Sequence, residues 1–507
     1  MRYFFIYIFV FHYGLTNNLM AQAHGRSSDD FAFVKLHYAG GRSNDVFHLS
    51  VYDHFLDDLS PTRNIVAKRD REGNYIFFIE KLKHPTYISL FRSSNRLGVP
   101  NYLLRLYLVE IGDSVNINII EDKNLFQEGD NGNELPNYNF SFSGRGAGKF
   151  KCRFEYDSIT VSSSTDSNEV INPQGDFITN SVYDVNLAKA SKLIEKYKSK
   201  ISTIAYNILK IDFFTHIEMG RLEYLALYQA FIFKDNNLIA DKIASKYQIW
   251  SDSIEATYND FAKTISYDYP QFILDRLLIG KTKGGNGKRI KEANSIKYIF
   301  ESLMVLPEGE LRDKSFVCFA SRLVKPNLKR EILDSILPTV KTDYCLQELN
   351  LIGRQYLNGS MAYNFVLPDL NSKLIQLQDF RGKVVFIDFW FSGCLPCVNY
   401  YKEILSKIEE QYRDNKNVVF ISINVDADRK KWEKEIYKKR YTSPDVLNLT
   451  TSRKGVSHPI IKQFGIYAYP GLFLIDPKGM IFRTDVELRE GGTIELSKFI
   501  EEALLIK

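Results

Sequence analysis

Cysteine is scarce in this chain: Cys152, Cys318, Cys345, Cys394 and Cys397 are all there are in 507 residues. That excludes a fold held together by a disulfide framework, which needs many paired cysteines in a short chain. Histidine is as thin, with eight residues at 12, 24, 37, 48, 54, 84, 216 and 458 and no ligand-like pair four apart, so no metal site and no cofactor is expected. Charge of one sign is lacking too. Lys and Arg number 66 against 61 Asp and Glu, and +5 on so long a chain makes no field that would gather nucleic acid. Even the apolar run Tyr3-Phe4-Phe5-Ile6-Tyr7-Ile8-Phe9-Val10-Phe11, extended to Leu15, falls short of the roughly 20 residues a spanning helix requires. No stable membrane insertion is expected.

That run does have a purpose. Arg2 precedes it and Ala21-Gln22-Ala23 follows, the pattern of a cleavable secretory signal over residues 1–23. No cysteine lies near the cleavage point, so a lipid on a new N-terminal Cys is excluded. The mature chain is expected outside the cytoplasm.

The length exceeds what one hydrophobic core serves, so about two to four domains are expected. Residues 24–126 read as a β-sandwich-like antiparallel domain. Tyr75-Ile76-Phe77-Phe78-Ile79 and Tyr102 to Val109 are rich in strand formers, and Val115-Asn116-Ile117-Asn118-Ile119 alternates at period two. Residues 127–184 turn to Asn, Ser, Gly and Asp, as in Gly129-Asp130-Asn131-Gly132-Asn133 and the run from Ser162 to Ser167, and read as a loop-rich linker. From 185 to 357 the period becomes helical. Ala190, Leu193, Ile194, Tyr197, Ile201, Ile204, Ala205 and Ile208 recur at steps of three and four, and similar segments predict about six to eight helices.

Two features of this region suggest chemistry and need weighing. Gly280 to Arg289 is glycine-rich and basic, but Gly287-Lys288 is followed by Arg289 and the glycine five earlier is missing, so it reads as a solvated loop. Cys318 lies in the apolar Ser315-Phe316-Val317-Cys318-Phe319-Ala320, where a free thiol packs as a small hydrophobe. A bridge to Cys345 is the alternative in an exported chain, since spacing does not fix the distance between the two.

The chemistry concentrates in residues 358–507. A turn at Asp379-Phe380-Arg381-Gly382 leads into Lys383-Val384-Val385-Phe386-Ile387-Asp388-Phe389-Trp390, the nearly continuous apolar run of a central parallel strand. After Phe391-Ser392-Gly393 comes Cys394-Leu395-Pro396-Cys397, and Val398, Tyr401, Ile404, Leu405 and Ile408 then fall at helical steps. The motif therefore opens a helix, where unpaired amides and the dipole favour a thiolate. Cys394 is the expected nucleophile. Cys397, one turn on and more sheltered, is placed to attack the mixed disulfide that Cys394 forms with a substrate. Pro396 suits the first turn, where its lacking N–H costs little. Zinc would want a second Cys or His pair, and none stands nearby.

At these residues the sequence resembles the thioredoxin superfamily, and its exported TlpA/ResA-like thiol-disulfide oxidoreductases in particular. The resemblance rests on Asn364-Phe365-Val366-Leu367-Pro368-Asp369, Gly382-Lys383-Val384-Val385, Asp388-Phe389-Trp390, the Cys-x-Pro-Cys pair, the strand Val418 to Asp426, and Phe464 to Gly479 with Tyr469-Pro470 inside it. It implies a C-terminal thioredoxin fold, a central mixed sheet flanked by helices, in a multidomain chain with all-β and all-α parts. It further implies a redox disulfide between Cys394 and Cys397, and Asp388 as the buried carboxylate that takes a proton from Cys397. Pro470 would be cis, with Tyr469, Pro470 and Trp390 contacting substrate and Leu395 and Pro396 setting the motif. The implied partners are protein or peptide thiols and disulfides, with a membrane electron donor recharging a periplasmic enzyme. The sequence departs from the family at Gly393, where Trp is common, at Leu395, and at Tyr400 and Lys402, where Glu and Pro are frequent.

Three readings follow. A disulfide reductase or isomerase leads, and an oxidase would use the same residues. A thiol peroxidase shares the fold, but Phe391 stands where its Thr would be. A binding scaffold with an accessory thioredoxin domain would place the function in residues 24–357.

Overall fold

Period-two patterning in the first part of the chain sends every second side chain inward, and two sheets close over the result. The computed structural model describes residues 30–39, 46–54, 62–92, 101–128, 134–161, 181–231, 242–243, 245–247, 257–279, 293–322, 326–356, 359–466 and 469–506. The expected signal segment, the Ser162–Ser167 run and the Gly280–Arg289 loop lie outside the described residues.

The strands are β1 (Ala32–Ala39), β2 (Phe47–Tyr52), β3 (Arg63–Val66), β4 (Lys68–Arg69), β5 (Tyr75–Ile79), β6 (Thr86–Arg92), β7 (Asn101–Val109), β8 (Ser114–Glu128) and β9 (Glu134–Arg145). One sheet runs β4-β5-β1-β8-β9 and the other β3-β2-β6-β7. Val34, Leu36, Phe77 and Ile117 of the first meet Phe47, Leu49, Ile88 and Leu90 of the second in a shared core. The arrangement is sandwich-like but not wholly antiparallel, because β1 and β8 pair in parallel. The chain reaches β8 only after building all four strands of the other sheet, a crossover of the kind a parallel pair requires.

The stretch 127–184, expected as a linker, holds β9, the helix α1 (Ala147–Val161) and the start of α2 (Val182–Tyr197). Tyr138, Phe140 and Phe142 alternate with Asn139, Ser141 and Ser143, a strand pattern masked by polar residues of low strand propensity. The helical run expected across Asn186 to Ile208 is also divided. It breaks after Tyr197, and Ser202 accepts the amide of Ala205 at 2.9 Å as α3 (Thr203–Phe231) begins.

Helical residues at 242–243 and 245–247 follow, and then, among the described residues, α4 (Asp260–Ile265), α5 (Tyr269–Leu278), α6 (Ala293–Met304), α7 (Glu310–Arg322), α8 (Pro326–Ile336) and α9 (Asp343–Tyr356). Their core includes Tyr52, Tyr87, Leu106 and Leu108, so the back of the second sheet is covered by helices. Tyr87 donates to Asp212 at 2.7 Å across this junction, and burial pushes that carboxyl up to about 7. Cys152, Cys318 and Cys345 are buried and not disulfide-bonded, so Cys318 packs within the helical core and does not bridge to Cys345.

The last part contains β10 (Val366–Pro368), β11 (Leu374–Gln376), β12 (Val384–Trp390), α10 (Leu395–Tyr400), a π turn (Tyr401–Leu405), α11 (Ser406–Gln411), β13 (Val418–Asn424), α12 (Arg429–Tyr437), β14 (Leu447–Thr450), α13 (Pro459–Phe464), β15 (Gly471–Ile475), β16 (Ile481–Thr484), α14 (Asp485–Glu490) and α15 (Gly492–Leu504). Its sheet runs β14-β13-β12-β15-β16, with β12 parallel to β13 and antiparallel to β15. Every residue of β12 is buried. Val385, Ile387 and Phe389 face one core, while Val384 and Phe386 face the other, beneath α10, α11 and α15. This is the thioredoxin arrangement, a mixed sheet with helices on both faces.

Candidate active site

Strand β12 delivers the chain to the sheet edge, where the motif turns it into α10. Cys394 is the cap residue, with φ −71° and ψ 98°, and Cys397 lies in the first turn. The two are joined as a disulfide, with α-carbons 5.3 Å apart. The amide of Cys397 donates to Cys394 Sγ at 3.1 Å. An N–H that faces sulfur in this way favours the thiolate when the bond is reduced, adding to the helix-terminus field.

The loop before the motif is pinned from three sides. Asp426, two residues beyond β13, accepts from the amide of Ser392 at 3.0 Å, its hydroxyl at 2.5 Å and Asn424 Nδ2 at 3.0 Å. Lys431 stands 3.5 Å from the other Asp426 oxygen. The Tyr441 hydroxyl accepts from the amide of Gly393 at 2.8 Å. None of these supports was singled out from the sequence, because Asp426, Lys431 and Tyr441 lie 33 residues or more from Ser392 and Gly393 along the chain. The acidic residue closing a buried strand was the one available signal.

Both cysteines are only 3 % exposed, so Cys397 is no more sheltered than Cys394 in this oxidised form. Trp390, Trp432, Ile436 and Tyr441 pack around the pair from the same core, and the bond itself covers each sulfur with the other. Between them Leu395 is 67 % exposed, and Pro396 beside it is exposed as well. Tyr469 and Phe391 are half-buried, meet edge to face at 5.1 Å and flank the cysteine cluster. The Tyr469–Pro470 bond is cis. Pro470 itself is buried, and its carbonyl accepts from Arg489.

Trp390 departs from the expectation of a substrate contact. It is fully buried, its ring stacks on Tyr441 at 4.6 Å, and its indole N–H donates to Ser422 at 2.8 Å. Being two residues beyond Asp388 on one strand, it shares that residue's face and lies under the motif.

Asp388 sits in the same layer, between Phe386 and Trp390 along the face that α10 and α11 cover. Ser422 donates to its Oδ2 at 3.3 Å. Burial first, then the neighbouring carboxylate of Glu409, hold the Asp388 carboxyl well above the usual carboxylate range, against the lesser pull of the Ser422 hydrogen bond. A carboxyl so placed gives up its proton less readily than an exposed one. Among the described residues no group of three or more His, Cys, Asp or Glu could hold a metal.

A family profile described as thioredoxin-like matches residues 382–481. The thiol-disulfide oxidoreductase ResA of Bacillus thuringiensis subsp. konkukian is 36 % identical over 129 residues, which is 25 % of this chain and 67 % of that protein. The ResA of Halalkalibacterium halodurans is 30 % identical over 150 residues, 29 % of this chain and 77 % of its own. The thioredoxin domain of a thiol-disulfide oxidoreductase from Bacteroides vulgatus aligns with 29 % of this chain and 97 % of its own, at 25 % identity and a TM-score of 0.25. Through its C-terminal thioredoxin-like domain, the chain belongs to the ResA family of thiol-disulfide oxidoreductases.

Proposed function

We propose that the chain is a periplasmic disulfide reductase or isomerase that works through a mixed disulfide at Cys394. The observation that carries this reading is the pair itself, with the Cys397 amide directed at Cys394 Sγ at the start of α10 and the exposed Leu395 between the two. In the reducing direction the Cys394 thiolate attacks one sulfur of a substrate disulfide, and the other leaves as a thiolate that takes a proton from water. Asp388, in its ionised form, accepts the proton of Cys397. The Cys397 thiolate then attacks Cys394 sulfur, and the second substrate sulfur leaves. Two electrons have passed to the substrate, and the enzyme is left with its disulfide and a protonated Asp388. The raised proton affinity of Asp388 in the oxidised form supports that final state.

Tyr469 and Pro470 are assigned to the extended segment of the substrate, on the strength of the Tyr469 contact with Phe391 beside the pair. Leu395 and Pro396 would form the exposed lip. Residues 1–23 would direct export, and a membrane donor would restore the dithiol. No helix of the described residues is long and apolar enough to cross a membrane. Cores of its own support a separate thioredoxin-like domain, whereas the helical core takes in Tyr52, Tyr87, Leu106 and Leu108 of the second sheet and Cys152 and Tyr156 of α1, which also feeds Ala147 and Phe150 to the sandwich core.

The reduction potential of the Cys394/Cys397 couple, obtained by equilibrating the full chain with thiol buffers, tests the direction. A value between about −270 and −200 mV, the span of thioredoxin and glutaredoxins, is expected. One near about −120 mV, that of a strong disulfide donor, would overturn the reductase reading.

A further inference from the structure

A second carboxylate shares the buried layer that holds Asp388. Glu409 lies on α11, twelve residues after Cys397, within the inward stripe of Tyr401, Leu405, Ile408 and Tyr412. The π turn at Tyr401–Leu405 interrupts the helix between the motif and this residue, a distortion that often marks functional helices. Oε1 of Glu409 is sealed from solvent and meets no hydrogen-bond donor among the described residues, while Oε2 accepts from the Tyr401 hydroxyl at 3.4 Å.

Tyr401 from the π turn and Asp445 from the segment before β14 act on it, and its own charge acts on Asp388 from β12 and on Tyr401. Among the described residues no ion pair offers it a cation. Two carboxylates in one low-dielectric layer with no cation between them cannot both ionise freely, so the charge of either raises the proton affinity of the other. A helix needs no acid at a core-facing position, and the mechanism above makes no use of this one.

We propose that Glu409 is a positioning residue for proton transfer: its carboxylate sets the proton affinity of Asp388, and through it the pH at which Cys397 gives up its proton. The inference rests on the reading of Asp388 as the base for Cys397. Burial pushes the Glu409 carboxyl up to about 8, so its charge changes within the range in which such an enzyme works. Below that pH Glu409 is neutral and Asp388 is the weaker base; above it Asp388 holds its proton more firmly.

The test is a carboxyl titration of Asp388, by 13C NMR, in the oxidised full chain. In the parent the Asp388 signal is expected to report two steps, one of them the ionisation of Glu409. Glu409→Gln should leave a single step whose midpoint is lower than the parent's upper one by about one pH unit or more. Glu409→Asp should restore the two-step curve. The pH at which mixed-disulfide resolution reaches half its maximal rate should fall by a matching interval in Glu409→Gln. A parent curve with one step, or a midpoint unmoved in Glu409→Gln, overturns the proposal, and the parent curve decides even if the variant fails to fold. If Asp388→Asn exchanges disulfides with the parent's pH profile, the reading of Asp388 falls instead, and with it the final clause about Cys397.

Discussion

Disulfide turnover by the full chain is expected to fall at least about a thousandfold in Cys394→Ser, the scale on which loss of a covalent nucleophile is felt. A serine hydroxyl at this cap position would still meet the Cys397 amide, so the helix start survives while the nucleophile does not. No other cysteine can stand in. Cys152, Cys318 and Cys345 are buried, and burial pushes the Cys152 thiol up to about 12 and that of Cys345 further still. Reduction of insulin followed by turbidity, with dithiothreitol as electron source, checks this. Turnover in Cys394→Ser within tenfold of the parent would place the chemistry elsewhere.

Trp390→Ala should lower the stability of the thioredoxin-like part by about 3–5 kcal/mol, the usual range for removing a buried aromatic ring. Trp390 is fully buried, stacks on Tyr441 and packs against both cysteines, and its indole N–H holds the Ser422 hydroxyl that donates to Asp388. The cavity would open beneath the disulfide, and Tyr441 would lose the surface that positions its hydroxyl against Gly393. Chemical denaturation read by aromatic circular dichroism measures the loss. Trp390→Phe, which keeps most of the volume, should cost less. A loss below about 1 kcal/mol for the alanine variant would show that the site collapses around the gap without strain.

Much of the C-terminal site could be read from local sequence. An apolar run, a short turn, two cysteines three apart and a helical stripe dictate where the sulfurs go without any knowledge of the remaining chain. Asp388 and Trp390 show the limit of that reading. Their spacing puts them on one face of β12, and only the packing of helices over that face shows that Trp390 lies buried under the motif. Asp426 and Tyr441 were harder, because loops and strands distant in sequence bring them to Ser392 and Gly393. Glu409 went unremarked because one acid beside Ile408 looks like the polar edge of an amphipathic helix. In the first part of the chain, β9 was hidden by its Asn and Ser residues, whose aromatic partners on the alternate face carry the strand into the sandwich.

The central claim is that Cys394 makes the covalent bond to substrate and Cys397 resolves it. The mass of the Cys397→Ser chain after exposure to a disulfide-bonded peptide tests this most directly. The account predicts a stable one-to-one adduct, released by dithiothreitol, with the peptide mapped to Cys394. An unmodified chain, or an adduct mapped to any other cysteine, would contradict it.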